Sequence, residues 1–270
     1  MTAETAPLVV AAPRPLSLPA NWWRRAGYAA LGAYTFYALS TLDITLDRIM
    51  RGLPQGAKFL SRMWPPNIEP QKMALMRDGM VESIEIAVLA TFFGVLLSLP
   101  LGVLAARNLM PSVVSWCARG VIALLRSFNP IIVAILFVKA IGFGALAGVL
   151  ALIVGSIGFV SKLFAEAIEE MNLKQVEAVR ATGASFMSVL IMGVLPQVLA
   201  RFAGFSAYQL DSNLRNSTMV GIVGGGGIGS ALFTATQRFD YDFMLTILLT
   251  IIALIMISEV VSTQIRKLFQ

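Results

Sequence analysis

Residues Ile86-Ala87-Val88-Leu89-Ala90-Thr91-Phe92-Phe93-Gly94-Val95-Leu96-Leu97-Ser98-Leu99-Pro100-Leu101-Gly102-Val103-Leu104-Ala105-Ala106 contain no charged side chain. A helix rises about 1.5 Å per residue, so about 20 apolar residues cross the hydrocarbon core of a bilayer. The stretch meets that length, with Glu82 and Glu85 before it and Arg107 after it. It reads as a membrane span. The whole chain agrees: mean hydropathy is +0.77, and 57% of residues are hydrophobic against 13% charged. A soluble domain keeps a far more charged surface than that.

Further spans lie on both sides. The charge-free run Ala26 to Leu42 follows Trp22-Trp23 and Arg24-Arg25, so residues 22–42 read as a first transmembrane helix with an interfacial aromatic belt. Residues 1–21, rich in Pro and Ala, read as a disordered cytosolic tail rather than a cleavable signal. Asp43 to Arg77 mixes charges, Gly and the breaker Trp64-Pro65-Pro66. It reads as an amphipathic interfacial helix and then a loop, which makes 43–79 an extracytoplasmic or interfacial segment.

Downstream, 112–138 is apolar but interrupted by Arg119, Arg126 and Pro130. Ile141 to Ser161 is a glycine-rich span suited to close helix packing. Spans follow at about 188–210 and at Phe243 to Ser258, before a short cytosolic C-terminus at 266–270. Asn216 to Gln237 is also charge-free, but Gly221, Gly224 to Gly227 and Gly229 make it a poor helix. It reads as a re-entrant or broken segment packed inside the protein. The expected fold is an all-α membrane protein with about six transmembrane helices.

Composition also excludes function classes. A single Cys117 rules out an intramolecular disulfide and a thiolate cage, and the absence of histidine removes His-based metal or acid–base chemistry. The net charge of +6 is spread singly along the chain, which does not suit nucleic acid and suits helix ends near lipid headgroups. No catalytic constellation and no metal site is legible. The run Gly224 to Gly227 is not a phosphate-binding loop, because no Lys-Ser/Thr follows it. Charge leaves orientation open, since a cytosolic N-terminus puts ten basic residues on one side against nine on the other.

The polar stretch from Ser161 to Pro196 is the most informative. Phe164, Ile168 and Met171 recur at helical spacing, with Glu166, Glu169 and Glu170 on other faces. A second short helix is predicted after Asn172, an N-cap with Gln175 in capping-box position, stopping at Gly183. Ala178, Ala181 and Thr182 offer a small-residue face, with Glu177 and Arg180 beside it. The residues alone leave two readings open: a solvated connection between spans, or a helix presented to a partner.

The order Glu177-Ala178-Val179, then Gly183, then Leu195-Pro196 resembles the EAA loop of ABC importer permeases. That motif reads Glu-Ala-Ala, three residues, Gly, nine residues, Ile, one residue, Leu-Pro. Here Val179 stands for the third-position Ala and Gly193 for the Ile. The resemblance extends over about 80–265, through Arg126-Ser127-Phe128, Gly142-Phe143-Gly144, Val194 to Leu199, Arg215 to Gly229 and Phe239-Asp240-Tyr241. Over that range the chain is similar to phosphonate transporter permeases, although it has no histidine in 153–158.

The resemblance implies a type I ABC importer permease fold with a cytosolic coupling helix in the loop 161–187. Glu177, Ala178, Arg180 and Gly183 would then meet an ATP-hydrolysing subunit, and both termini would be cytosolic in a bacterial inner membrane. It also implies a homodimer, two ATPase partners carrying ATP and Mg2+, and an extracytoplasmic phosphonate-binding protein. This chain would bind no cofactor itself. For an anionic cargo, Arg126, Asn129, Asn213, Arg215, Asn216 and Ser217 are the candidate pathway residues, with Gly225 at a bend of the gate. For Arg126 or Arg215 the competing reading is an interfacial position or a pair with Asp211. Glu82 and Glu85 fit an outer mouth. Methionine, phosphate or phosphite import is the alternative within the class, and a secondary transporter or a membrane enzyme lies outside it.

Overall fold

The computed structural model describes residues 22–42 and 45–269, with side chains as far as Gln264. The expected tail at 1–21 lies outside the described residues. No strand occurs among the residues described. The chain divides into two compact units between Leu60 and Ser61.

The first unit holds α1 (Trp22–Thr41) and most of α2 (Leu46–Met63). α1 is helical where a first span was expected. α2 places Leu46, Ile49, Met50, Leu53 and Leu60 at intervals of three, four and seven, so they form one apolar stripe, and all five are exposed.

The second unit is a bundle of α3 (Pro70–Ala105), α4 (Ser112–Ser127), α5 (Pro130–Ile141), α6 (Ala145–Glu169), α7 (Leu173–Ala181), α8 (Phe186–Val189), α9 (Leu195–Ile222), α10 (Ile228–Gln237) and α11 (Tyr241–Phe269). α3 begins at Pro70, whose fixed φ suits a first helical position, so Lys72, Arg77 and Asp78 are helical rather than in a loop. A π-helical turn, Leu190–Val194, joins α8 to α9 and makes Phe186–Ile222 one continuous rod. Asn216 to Ile222 therefore belongs to a helix, and the expected break is confined to the residues between Ile222 and Ile228.

Four helices of the described chain are long and apolar enough to cross a membrane: α3, α6, the Phe186–Ile222 rod and α11. α4 and α5 bend by 85° at Phe128-Asn129 and make a fifth if taken as one span. About six were expected. The difference lies in α1, where Arg24, Arg25 and three tyrosines dilute the apolar residues.

α3 and α6 pack closely because small residues line the seam. A β-carbon at Gly102 would lie 2.7 Å from the Phe164 ring, and one at Gly94 would strike Ser156. The three larger apolar cores follow. Val103, Phe164, Ile168, Val176, Val189, Val194 and Val198 fill one end; Ile86, Val133, Leu152 and Val220 fill the middle; Met76, Ile228, Phe243 and Ile247 join α3, α10 and α11.

Candidate functional site

At the first end, α6 runs on to Glu169, so Phe164 and Ile168 are its last buried turns rather than a separate helix. Glu169 accepts from the Arg107 backbone N–H (2.7 Å) and pairs with Arg119 (2.6 Å), while Arg201 pairs with Glu170 (2.8 Å). The chain then turns into α7. Asn172 caps it, its Oδ1 accepting from Lys174 N–H at 3.1 Å. The reciprocal partner is Gln197 rather than Gln175: Gln197 Oε1 accepts the Asn172 N–H at 3.1 Å, and its Nε2 donates to the Gly193 carbonyl at 2.6 Å. One amide from the start of α9 thus holds both the head of α7 and the π turn.

α7 sits on the core through one face only. Val176 is buried and Val179 packs beside it, while Glu177, Ala178, Arg180, Ala181 and Thr182 are exposed. Glu177 and Arg180 form no ion pair among the described residues. Gly183 ends the turn at φ +76°, the left-handed conformation that favours glycine, and its N–H donates to the Arg180 carbonyl at 3.0 Å. The result is a short, rigidly seated helix with a small-residue, charged face turned outward.

In the middle of the bundle the expected pathway residues separate. Asn213 is fully buried, and its Nδ2 donates to Thr91 Oγ1 and Ser156 Oγ, both at 2.9 Å. Gln209 Nε2 donates to Ser156 Oγ and Asn213 Oδ1, also at 2.9 Å. These four side chains join α3, α6 and α9 in one satisfied network, the condition under which buried polar groups are tolerated. Asn213 and Asn216 border the same cavity of about 160 Å³, together with Pro130, Gly155, Phe159, Tyr208 and Ser212.

The others lie elsewhere. Arg215 turns to Asp211 (3.0 Å), which also accepts from Ser258 Oγ of α11 (2.9 Å), so the competing reading of that arginine describes its place. Asn129 caps α5 by accepting from Ile131 N–H at 2.9 Å. Arg126 lines a crevice between α4 and α6 with Arg119 and Lys162. Ser217 is fully buried and donates to the Leu214 carbonyl at 2.8 Å.

At the end opposite α7, the glycines pack backbone against backbone. A β-carbon at Gly148 would strike the Gly225 carbonyl, and one at Gly229 the Thr218 carbonyl. Gly224, Gly226 and Gly227 all have positive φ. Glu82 does not simply face a mouth: its Oε2 accepts the Gly227 N–H at 2.9 Å, and Ser83 Oγ accepts the Ile228 N–H at 2.9 Å. α3 thereby caps the N-terminus of α10, where an acceptor and a negative charge are both favoured. Beside this knot opens a cavity of about 770 Å³ lined by Glu82, Phe143, Gly144, Gly221, Gly224, Gly226 and Phe233.

A bundle with an outward-seated short helix at one end and a glycine knot at the other can now be set beside known proteins. Residues 98–270 match the family described as binding-protein-dependent transport system inner membrane component. The chain belongs to that family. It is 37% identical over 255 residues to the phosphite transport system permease protein PtxC of Stutzerimonas stutzeri, covering 93% of this chain and 91% of that one. It is 40% identical over 208 residues to the phosphate-import permease protein PhnE of Mycolicibacterium smegmatis, covering 77% of this chain and 39% of that longer one. Among solved structures, the inward-facing MetNI methionine ABC transporter is similar at a TM-score of 0.67 and 25% identity, over 76% of this chain and all of that one. The fold is that of a type I importer permease, and the family member is a transport subunit of an inner membrane, not an enzyme. The likeness to PtxC reaches beyond the 80–265 range that the motifs mark.

Sequence reasoning missed Gln197, Ser83, Gln209, Ser156 and Thr91, and placed Glu82 at a mouth without its bond to Gly227; these roles depend on partners far along the chain. Tyr208, Ser212 and Asn216 did leave a signal, a polar residue every fourth position of one helix.

Proposed function

We propose that this permease forms the membrane pathway of an ATP-driven importer for phosphonates or related phosphorus oxyanions. The observation that carries the coupling half of this reading is α7. It is seated by Val176, stapled by Gln197 and closed by Gly183, with Glu177, Ala178 and Arg180 outward. Such a helix transmits a partner's movement as a rigid body. Two ATPase subunits, carrying ATP and Mg2+, would dock there; two copies of this chain would enclose the path, and an extracytoplasmic binding protein would deliver cargo. α7 and both termini then face the cytosol. Residues 22–42 serve as a first, more polar transmembrane helix and 1–21 as a cytosolic tail. The exposed stripe of α2 lies in the interface on the outer side. The cargo class is supported by the likeness to permeases named for phosphite and phosphate.

In this reading the path passes Asn216 and the face of α9 behind which Asn213 is locked, with Asn129 at its flank. Arg126 adds positive charge near the cytosolic end. The knot around Gly225 closes the outer end. A methionine cargo is the second reading, favoured by the fold likeness to the methionine transporter. Uptake of labelled 2-aminoethylphosphonate by cells with and without the gene, with phosphate, phosphite and methionine as competitors and an ATP-depleted control, tests both. Gene- and ATP-dependent uptake that phosphorus anions block supports the first reading. Competition by methionine alone replaces it with the second.

A further inference from the structure

We infer that Tyr208, Ser212 and Asn216 form a stripe of neutral hydrogen-bond donors that binds a small tetrahedral phosphorus oxyanion on its way through the membrane. The inference rests on the importer reading above and deepens it, naming contact residues and a charge type for the cargo. The three residues stand four apart on α9, so they share one face of the helix, and all three line the 160 Å³ cavity. Phe159 closes one side, stacked on the Tyr208 ring at 5.5 Å.

The donors on this face are spare. Among the described residues the Tyr208 and Ser212 hydroxyls donate to no partner, and Asn216 Nδ2 makes one long bond, 3.4 Å, to Ser212 Oγ. The contrast with the next face is sharp, because the amide hydrogens of Gln209 and Asn213 are all directed into the Thr91–Ser156 network. Tyr208 is exposed and Ser212 and Asn216 are half-buried, so these donors face open space in the middle of a span, where an acceptor is favoured. A phosphorus oxyanion is rich in acceptors and supplies none of the positive charge that would need an acid.

Charge narrows the ligand. No acidic or basic side chain lines the cavity, and the neighbouring Arg215 is committed to Asp211, itself held by Ser258. An ammonium group would find no carboxylate here, which argues against a zwitterion, an amino acid or an aminophosphonate alike. Neutral donors also suit passage, since a path must bind its ion without trapping it. The cavity has room for an oxyanion of phosphorus.

The test is uptake of radiolabelled phosphite and phosphate by the assembled transporter in cells lacking other phosphate importers, with 2-aminoethylphosphonate and methionine as unlabelled competitors. Ser212→Ala and Tyr208→Phe each delete one donor, and the Phe keeps the ring against Phe159. Each is expected to raise the KM for the inorganic anion about tenfold, the scale of a lost hydrogen bond to a charged group. Arg215→Gln is expected to raise it less than either. Immunoblotting of membranes excludes lost protein, and if Ser212→Ala does not accumulate, Tyr208→Phe and Asn216→Asp decide, the latter by repelling the anion. Wild-type KM in Tyr208→Phe and Ser212→Ala, or a larger effect from Arg215→Gln, overturns the stripe while leaving the importer reading intact. Preference for 2-aminoethylphosphonate over both inorganic anions overturns the choice of a purely anionic cargo. A wild-type transporter that carries methionine and no phosphorus anion overturns the reading and the stripe together.

Discussion

A β-carbon placed on Gly193 would sit 3.7 Å from Val179 Cγ2, so the glycine of the π turn leaves the space that the valine of α7 fills. These are the two positions at which the chain departs from the Glu-Ala-Ala, Gly, Ile, Leu-Pro pattern. The departures compensate: where the pattern has a small residue on α7 and a large one below, this chain has the reverse. The same β-carbon would lie 3.4 Å from Val176 Cα, so a side chain added there starts in contact with α7.

Restoring the pattern one residue at a time should therefore fail. Gly193→Ile is expected to destabilise the permease by about 1–3 kcal/mol through overpacking, and Val179→Ala by about 1 kcal/mol through a small void. The double variant should recover most of the loss, giving a coupling energy above about 1 kcal/mol in a double-mutant cycle. Thermal unfolding in detergent measures it. Additive losses would show that the two sites are independent.

Glu177→Ala should leave stability within about 0.5 kcal/mol of wild type, because the side chain is exposed and unpaired among the described residues. Transport should nevertheless be lost if, as proposed above, α7 is the surface offered to the ATPase. Gly183→Ala should cost about 1 kcal/mol, because φ +76° is strained for any residue with a β-carbon. Paired measurements of melting temperature and ATP-dependent uptake separate the two effects.

Glu82 tests the cap on α10. Glu82→Ala removes the acceptor of the Gly227 N–H and should cost about 1–2 kcal/mol, whereas Glu82→Gln keeps an acceptor oxygen and should cost less. Equal losses would mean that the carboxylate's charge, not its hydrogen bond, matters. Hydrogen exchange at the start of α10 is the local readout.

The glycine knot leaves no room for a methyl group. Gly148→Ala and Gly229→Ala each drive a β-carbon into a backbone carbonyl and should cost 3 kcal/mol or about that. Gly120→Ala, which meets nothing within 4 Å, is the control and should be neutral or slightly stabilising. Membrane abundance and melting temperature read both.

What could be foreseen was local. The Asn172 cap, the left-handed Gly183 and the Arg215–Asp211 pair at i, i+4 all follow from residues within a turn or so of each other. Gln197 displaced Gln175 as the partner of Asn172 because the fold brings the start of α9 alongside, which no local pattern announces. Asn213 carries the right chemistry for a polar path, yet its direction is fixed by Thr91 and Ser156 on other helices. Pro70 falls inside the stretch read as a loop and is the beginning of a 36-residue helix. The count of spans differed because α1 combines span length with too many polar residues.

The Phe186–Ile222 rod is 37 residues long, about 55 Å at helical rise. Its foot adjoins α7, the donor stripe lies past its midpoint, and its head abuts the glycine knot. Mechanically it is a lever arm without an elbow. A tilt of about 5° at the foot would swing the head by about 5 Å, on the order of one helical pitch. Thr91 and Ser156 gear α3 and α6 to the same arm, so a nudge too small to reshape the foot is large enough to unseat a joint packed to the last methyl.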